Sequence, residues 1–230
     1  PNCTIIDPRS DKEVKQREKF AEILHEKRKR RGLTFYEAKK MMRERNYYAS
    51  AMVETGMADV MISGITRSYK ETIRPALQVI GVEEGINKIA GMYILISKDG
   101  PIFFADTTIN INPTIEEIVD ITLLVARTVK EYKTSPRIAM LSYSNFGSNE
   151  GEDAVKMREA VRILHKSHPD LIVDGEVQAN FAVNKELIGD FFPFSLLANM
   201  KANTLIFPNL SAWNIAYKLV KEMSQYEAIG

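Results

Sequence analysis

The stretch 137-RIAMLSYSNFGS-148 decides how this chain reads. Four apolar residues, Ile138 to Leu141, break into a polar run of Ser, Tyr, Asn, Phe and Gly, and an amphipathic pattern from Asp153 to His165 follows. That order is strand, loop, helix. At the C-terminal edge of such a strand, small side chains leave backbone N–H groups free to meet a phosphate at the helix start. A tight connection without a ligand uses the same residues, so the loop alone leaves both readings open.

Outward from this unit, strands and helices alternate. Upstream, Ser10 or Asp11 caps a helix with Val14, Phe20, Ile23 and Leu24 near helical spacing, closed by Gly32. Thr34 and Glu37 form a capping box for a helix from Phe35 to about Arg45. A short helix spans Tyr47 to Thr55, 58-ADVMIS-63 reads as a buried strand, and Pro75 kinks or restarts the helix after Gly64. The runs 88-KIAGMYILIS-97 and 101-PIFFAD-106 flank Lys98-Asp99-Gly100, a hairpin signal. A helix from about Thr114 to Tyr132 carries Ile115, Ile118, Ile121, Leu124, Val125 and Val129 on one face. Strands 171-LIVDGEV-177 and 203-NTLIF-207 and a helix Ala212 to Met223 follow. Alternation of this kind specifies an α/β fold with a mostly parallel sheet and an antiparallel hairpin. The change near Gly85, from a helix-rich basic segment to apolar strands, divides the chain into a partial first lobe, residues 1–85, and a second lobe, residues 86–230.

Composition narrows the classes. With 230 residues, 45% of them hydrophobic, the chain buries a sizeable core. A net charge of +1 argues against nucleic-acid binding. The single Cys3 excludes a disulfide framework and fits a reducing, cytoplasmic setting. The longest apolar run, 89-IAGMYILI-96, falls far short of the roughly 20 residues that cross a bilayer. The chain opens on 3-CTIID-7 without an initiator Met and stops at 228-AIG-230, which reads as a piece of something longer.

Four constellations could carry chemistry. The run 26-EKRKRRGLT-34 is a solvated helix end, a nucleic-acid patch, or the source of one arginine that grips a phosphate. In 63-SGITRSYKETIRPALQVI-80, Arg67, Ser68, Thr72 and Arg74 follow a strand end at a helix start, which suits an anion but also suits plain surface. In 174-DGEVQAN-180, Asp174, Glu176 and Gln178 alternate; they serve as acid and base, take a metal, or satisfy loop amides. His25, His165 and His168 have no carboxylate at metal-ligand spacing, so no metal site is expected. Trp213 sits at core-like spacing, with Asn209 and Asn214 near a cleft.

Together these segments resemble the phosphate acetyltransferase (phosphotransacetylase) family. The matching pieces are KRKRRGLT, GMADVMISG, TIRPALQVIG, 101-PIFFADTTININPT-114, RIAMLSYSNFGS, DLIVDGEVQAN and TLIFPNLSAWNIAYKLV, in the family's order and across nearly the whole chain. The resemblance implies two α/β lobes of the isocitrate dehydrogenase-like type, an acyl-CoA and phosphate cleft, and dimers through the second lobe. SNFGS, 156-KMREAVRIL-164 and 191-FFPFS-195 look more like one branch, the C-terminal domain of large bacterial malic enzymes. There an N-terminal module oxidatively decarboxylates malate with NADP and a divalent metal, and the C-terminal module senses acetyl-CoA.

Carried over by residue, Arg28 stands where the family's CoA-phosphate arginine sits and Arg74 at its RPALQ arginine. Ser144 and Asn145 match its cleft loop. Thr107 stands where the acetyltransferases often carry cysteine. The family's late Asp-Leu-Ser-Arg-Gly motif, which follows Ala-Ile-Gly, supplies a general base for the CoA thiol. No complete catalytic set is therefore expected between Pro1 and Gly230, and no cofactor is expected within these residues. The leading expectation is an acetyl-CoA-sensing domain of a malic enzyme, with acetyl-CoA or an acyl phosphate as ligand. The alternative is a truncated catalytic phosphate acetyltransferase.

Overall fold

The computed structural model describes residues 3–83, 88–97, 100–106, 109–224 and 226–229. The chain divides into two units, Pro1–Ile86 and Asn87–Gly230.

The regular secondary structure among the first unit's described residues is all helical. After a 3-10 turn at Asp11–Glu13 come α1 (Val14–Arg28), α2 (Phe35–Met41), α3 (Arg45–Glu54) and α4 (Tyr69–Val79). Phe20 and Leu24, one turn apart on α1, pack with Ala38, Met42, Tyr48, Ala51 and Val79 into a small core, and the Phe20 and Tyr48 rings meet edge-on at 5.0 Å. The helix expected to run from Phe35 to about Arg45 instead stops at Met41. Glu44 then caps α3, accepting from Asn46 N at 2.8 Å and Tyr47 N at 3.2 Å, and a capping carboxylate there restarts the helix. α4 passes through Pro75 unbroken behind a Ser68/Glu71 capping box. The segment 58-ADVMIS-63 is a correction to the sequence reading: it is neither strand nor buried, with Val60 70% and Ile62 94% exposed. An extended run becomes a strand only when a neighbour pairs its backbone, and the first unit's described residues offer none.

The second unit is a six-stranded sheet with helices on both faces. Its elements are β1 (Met92–Ser97), β2 (Gly100–Ala105), α5 (Ile115–Glu131), β3 (Arg137–Leu141), α6 (Glu152–Ser167), β4 (Ile172–Val177), α7 (Ala179–Ala182), α8 (Lys185–Phe191), β5 (Thr204–Ile206), α9 (Leu210–Met223) and β6 (Glu227–Ile229). The strand order is β4-β3-β5-β2-β1-β6. The first four run parallel, and β1 lies antiparallel to both β2 and β6. The hairpin register runs from Met92 opposite Ala105 to Ser97 opposite Gly100; Lys98 and Asp99, two of the three expected turn residues, lie outside the described residues.

Side chains alternate across this sheet, as the two-residue repeat of a strand requires. Phe103, Ala105, Ile138, Met140 and Val173 join α5 and α6 on one face. Ile102, Phe104, Ala139, Leu141 and Leu205 join Ala182, Ile188 and Trp213 on the other. The aliphatic stripe of α5 is consumed here: Ile118, Ile121, Val125 and Val129 are all buried within this core. Packing against both the sheet and α6 accounts for its width.

Candidate functional site

The loop that leaves β3 is held by its own residues. Ser142 N donates to Val177 O at 3.0 Å and Phe146 N to Glu176 O at 2.8 Å, which ties the loop to the end of β4. The Ser144 hydroxyl donates to Glu176 Oε1 at 2.8 Å and accepts from Asn149 N at 3.0 Å. Gly147 N donates to the same Glu176 oxygen at 2.8 Å, and Asn145 N donates to Ser148 Oγ at 2.9 Å. Asn145 Oδ1 accepts from Gln178 N at 2.8 Å. The loop amides expected to be free for a phosphate are therefore engaged internally, and a buried carboxylate stands among them. Carboxylates and phosphates seek the same N–H donors, so Glu176 fills the role that the sequence reading left for a ligand.

Glu176 exposes no surface. Its second oxygen, Oε2, has no hydrogen-bond partner among the described residues. Arg158 Nη1 stands 4.0 Å from Oε1, while its other guanidinium nitrogen bonds Glu150 at 2.8 Å. That bond to Glu150, reinforced by the nearby carboxylates, raises the guanidinium pKa further. Asp174 likewise serves the backbone: it accepts from Ser195 Oγ at 2.7 Å, Leu196 N at 2.8 Å and Gly175 N at 2.9 Å. Of the three readings open for 174-DGEVQAN-180, the satisfaction of loop groups is the one these distances describe.

One cluster carried no signal strong enough to single it out from sequence. Lys156, 9% exposed on α6, donates to Asn112 Oδ1 at 2.8 Å and pairs with Asp153 at 2.8 Å. Asp153 Oδ2 in turn accepts from Asn209 Nδ2 at 2.9 Å, and Asn209 caps α9 through Ala212 N. The starts of α5, α6 and α9 are thereby joined. The i,i+3 spacing of Asp153 and Lys156 was the visible clue. A cleft of about 480 Å³ opens beside them, lined by Thr114, Glu116, Glu152 and Lys156 among others.

In the first unit, the run of five cations separates into different tasks. Lys27 pairs with Glu54 and donates to Val79 O at 2.6 Å at the end of α4, so it is a structural tie. Lys29 pairs with Glu26 at 2.5 Å. Arg28, half-buried at the end of α1, makes no side-chain hydrogen bond or ion pair among the described residues, and neither does the exposed Arg74 on α4. The two converge electrostatically on Tyr47. Burial pushes the Tyr47 phenol up, Arg74 pulls it down, Glu44 raises it and Arg28 lowers it. The phenol itself donates to Gln78 Oε1 at 2.7 Å.

Of the expected site residues, then, Arg28 and Arg74 in the first unit both act electrostatically on Tyr47, and Ser144 and Asn145 share one loop in the second. Thr107 lies outside the described residues. Trp213 is buried, stacked on Tyr217 at 5.1 Å, as its spacing suggested. Each of the three histidines bonds a residue at most eight positions away: His25 to Leu33 O, His165 on α6 to Val173 O on β4, and His168 to Ser167. Among the described residues no group of three or more His, Cys, Asp or Glu is placed to hold a metal, and no helix is long and apolar enough to cross a membrane.

Comparison with known proteins agrees with this architecture. The chain is 36% identical to the phosphate acetyltransferase of Clostridium acetobutylicum, over 98% of its own length and 69% of that enzyme's. It is 35% identical to the NADP-dependent malic enzyme of Haemophilus influenzae, over 90% of its length but only 27% of that protein's. A phosphotransacetylase structure from Streptococcus pyogenes superposes with a TM-score of 0.85 at 37% identity, covering the whole chain and 69% of the other. The same domain is thus carried by proteins named acetyltransferases and by others named malic enzymes. A family model for phosphate acetyl/butaryl transferases matches residues 2–230, and the chain belongs to that family.

Proposed function

We propose that this phosphotransacetylase-like domain binds an acyl-CoA, with Arg28 at the nucleotide end and Arg74 at the phosphate or acyl end, and that it acts as the acetyl-CoA-sensing module of a malic enzyme. The observation that carries the reading is that the Arg28 and Arg74 side chains make no hydrogen bond or ion pair among the described residues, while both act electrostatically on the Tyr47 phenol. An arginine fork without an internal partner suits a phosphate or an acyl carbonyl. Ser144 and Asn145 then act by fixing the loop's shape.

Sensing is favoured over transfer by the inward turn of that loop. Acetyl transfer needs a base for the thiol and donors aimed at the departing phosphate. The amides and hydroxyls of residues 144–149 are directed at Glu176 and at each other instead. In this reading NADP and a divalent metal belong to a separate malate-oxidising module. The second reading, a catalytic phosphate acetyltransferase, draws support from the Clostridium relative, of which the chain spans the larger share.

The full-length protein separates the two. With malate, NADP and a divalent metal, NADP reduction is followed while acetyl-CoA is titrated; a concentration-dependent change in rate supports sensing, and insensitivity removes it. With acetyl phosphate and CoA, steady thioester formation establishes transfer. Self-association through the second unit is part of the same proposal. With α5 buried in its own core, the apolar stripe Ile215, Leu219 and Met223 on α9, each more than half exposed, is the surface we assign to it. Sedimentation of the Leu219→Glu variant as a monomer beside a dimeric parent is the expected result.

A further inference from the structure

A cleft of about 680 Å³ in the helical unit is bordered by the segment Ile6 to Arg9, the turn entering α3 and the turn before α4. Four guanidiniums line it: Arg9, Arg43, Arg45 and Arg67. Asp7 and Glu44 contribute the only carboxylates of that lining, leaving a formal excess of two positive charges. Both carboxylates face their own backbone. Asp7 Oδ1 accepts from Arg9 N at 2.9 Å, and Glu44 Oε2 caps α3.

The arginines are incompletely satisfied. Arg67 stands 3.7 Å from Glu44 Oε1, too far for a hydrogen bond, and that buried oxygen has no hydrogen-bond partner among the described residues. Arg45 donates to the Thr66 hydroxyl. Arg9 and Arg43 make no side-chain hydrogen bond or ion pair among the described residues. Like charges gathered around one hollow repel each other, and a multiply charged anion at its centre turns that repulsion into attraction. Guanidinium forks match pairs of phosphate oxygens, and four forks match two phosphate groups better than one. The volume is in the range of small-molecule sites and exceeds what a single ion fills.

We propose that this arginine-lined cleft binds a diphosphate group. The site is separate from the Arg28–Arg74 pair and does not rest on the acyl-CoA reading. Two sources share the chemistry, inorganic pyrophosphate and a nucleoside diphosphate, and Ile6, 37% exposed at the rim, offers an apolar contact that only the second would use.

Isothermal titration of the whole chain with pyrophosphate and with ADP tests the site. Both probes are expected to bind with Kd below about 1 mM, more weakly as salt is raised. Arg9→Gln and Arg43→Gln, at exposed side chains with nothing to lose in the fold, are each expected to weaken binding roughly tenfold. Tighter ADP assigns the nucleoside; equal affinities assign the diphosphate alone. Absence of binding for both probes at about 1 mM overturns the proposal. So does binding that both variants leave unchanged, or binding lost in Arg28→Gln while Arg9→Gln and Arg43→Gln keep it. The readout involves neither acetyl-CoA nor turnover, so it stands or falls apart from the sensing assay.

Discussion

Ser144 and Glu176 lie 32 residues apart in sequence, one in the loop after β3 and the other in β4, yet the hydroxyl of the first is held 2.8 Å from the carboxylate of the second, and neither side chain reaches solvent. This bond couples the two parallel strand ends. It also makes Glu176 the organiser of the loop.

Glu176→Ala removes the acceptor for the buried Ser144 hydroxyl and for the N–H of Gly147, which lies at the surface. A buried donor that loses its partner costs about 1–3 kcal/mol, and a loss of that order is expected in urea unfolding. Glu176→Gln, which keeps an acceptor oxygen and the shape, is expected to lose less. Equal losses would show that charge, not hydrogen-bond geometry, holds the loop.

Gly175 is fixed by space as well as by backbone. Its φ is +137°, and a Cβ built there would approach Met140 O, a backbone atom on the neighbouring strand, to 2.6 Å. Gly175→Ala is therefore expected to cost roughly 2–4 kcal/mol by strain and overpacking. Thermal unfolding measures the loss, and an unchanged Tm would mean that β3 and β4 can separate without penalty.

Acid should weaken the start of α5. The Lys88 ammonium, 2.5 Å from Glu117, and the Thr114 backbone N–H hold the Glu117 carboxyl below its usual range. A carboxyl lowered on folding stabilises fully above its unfolded value, here 4.5, and that contribution fades as pH falls through the lower folded value. The Tm difference between parent and Glu117→Gln is expected to be largest near neutral pH and to close as pH falls below 4.5. Thr114→Ala, which removes the other half of the capping box, is expected to cost about 1 kcal/mol near neutrality.

If the sensing proposal holds, Arg28→Ala in the full-length protein should raise the acetyl-CoA concentration needed for its effect roughly 10- to 100-fold, the value of one charge-assisted phosphate contact. Malate turnover should stay intact. Lost turnover with a normal acetyl-CoA response would contradict the assignment.

The elements legible in the sequence were those whose signal is local. α5 follows its Thr114/Glu117 capping box and aliphatic spacing, and β3 follows its four apolar residues ended by polar ones. The second unit's parallel order follows from alternation. What sequence could not show depended on partners. The run 58-ADVMIS-63 has a strand's composition but no neighbour within its unit, and the three-residue β6 exists only through pairing with β1. At the site, the loop's small polar residues were visible as a phosphate-binding pattern. Their competitor, Glu176, comes from another strand, and nothing in local spacing reports that its carboxylate enters the loop. The arginines at positions 43 and 45 carry no local signal, because their cleft is completed by the Ile6–Arg9 segment.

The Lys156 cluster gives the C-terminal edge of the sheet a mechanical property. Lys156 grips Asn112 before α5 and Asp153 on α6, and Asp153 grips Asn209 at the head of α9. Three crossover connections that would otherwise flex independently are clamped at one node. A displacement imposed on any of them is transmitted to the other two within a single hydrogen-bonded span. The edge therefore shifts as one plate, and Lys156→Met would release the Asn112 end while leaving Asp153 tied to Asn209.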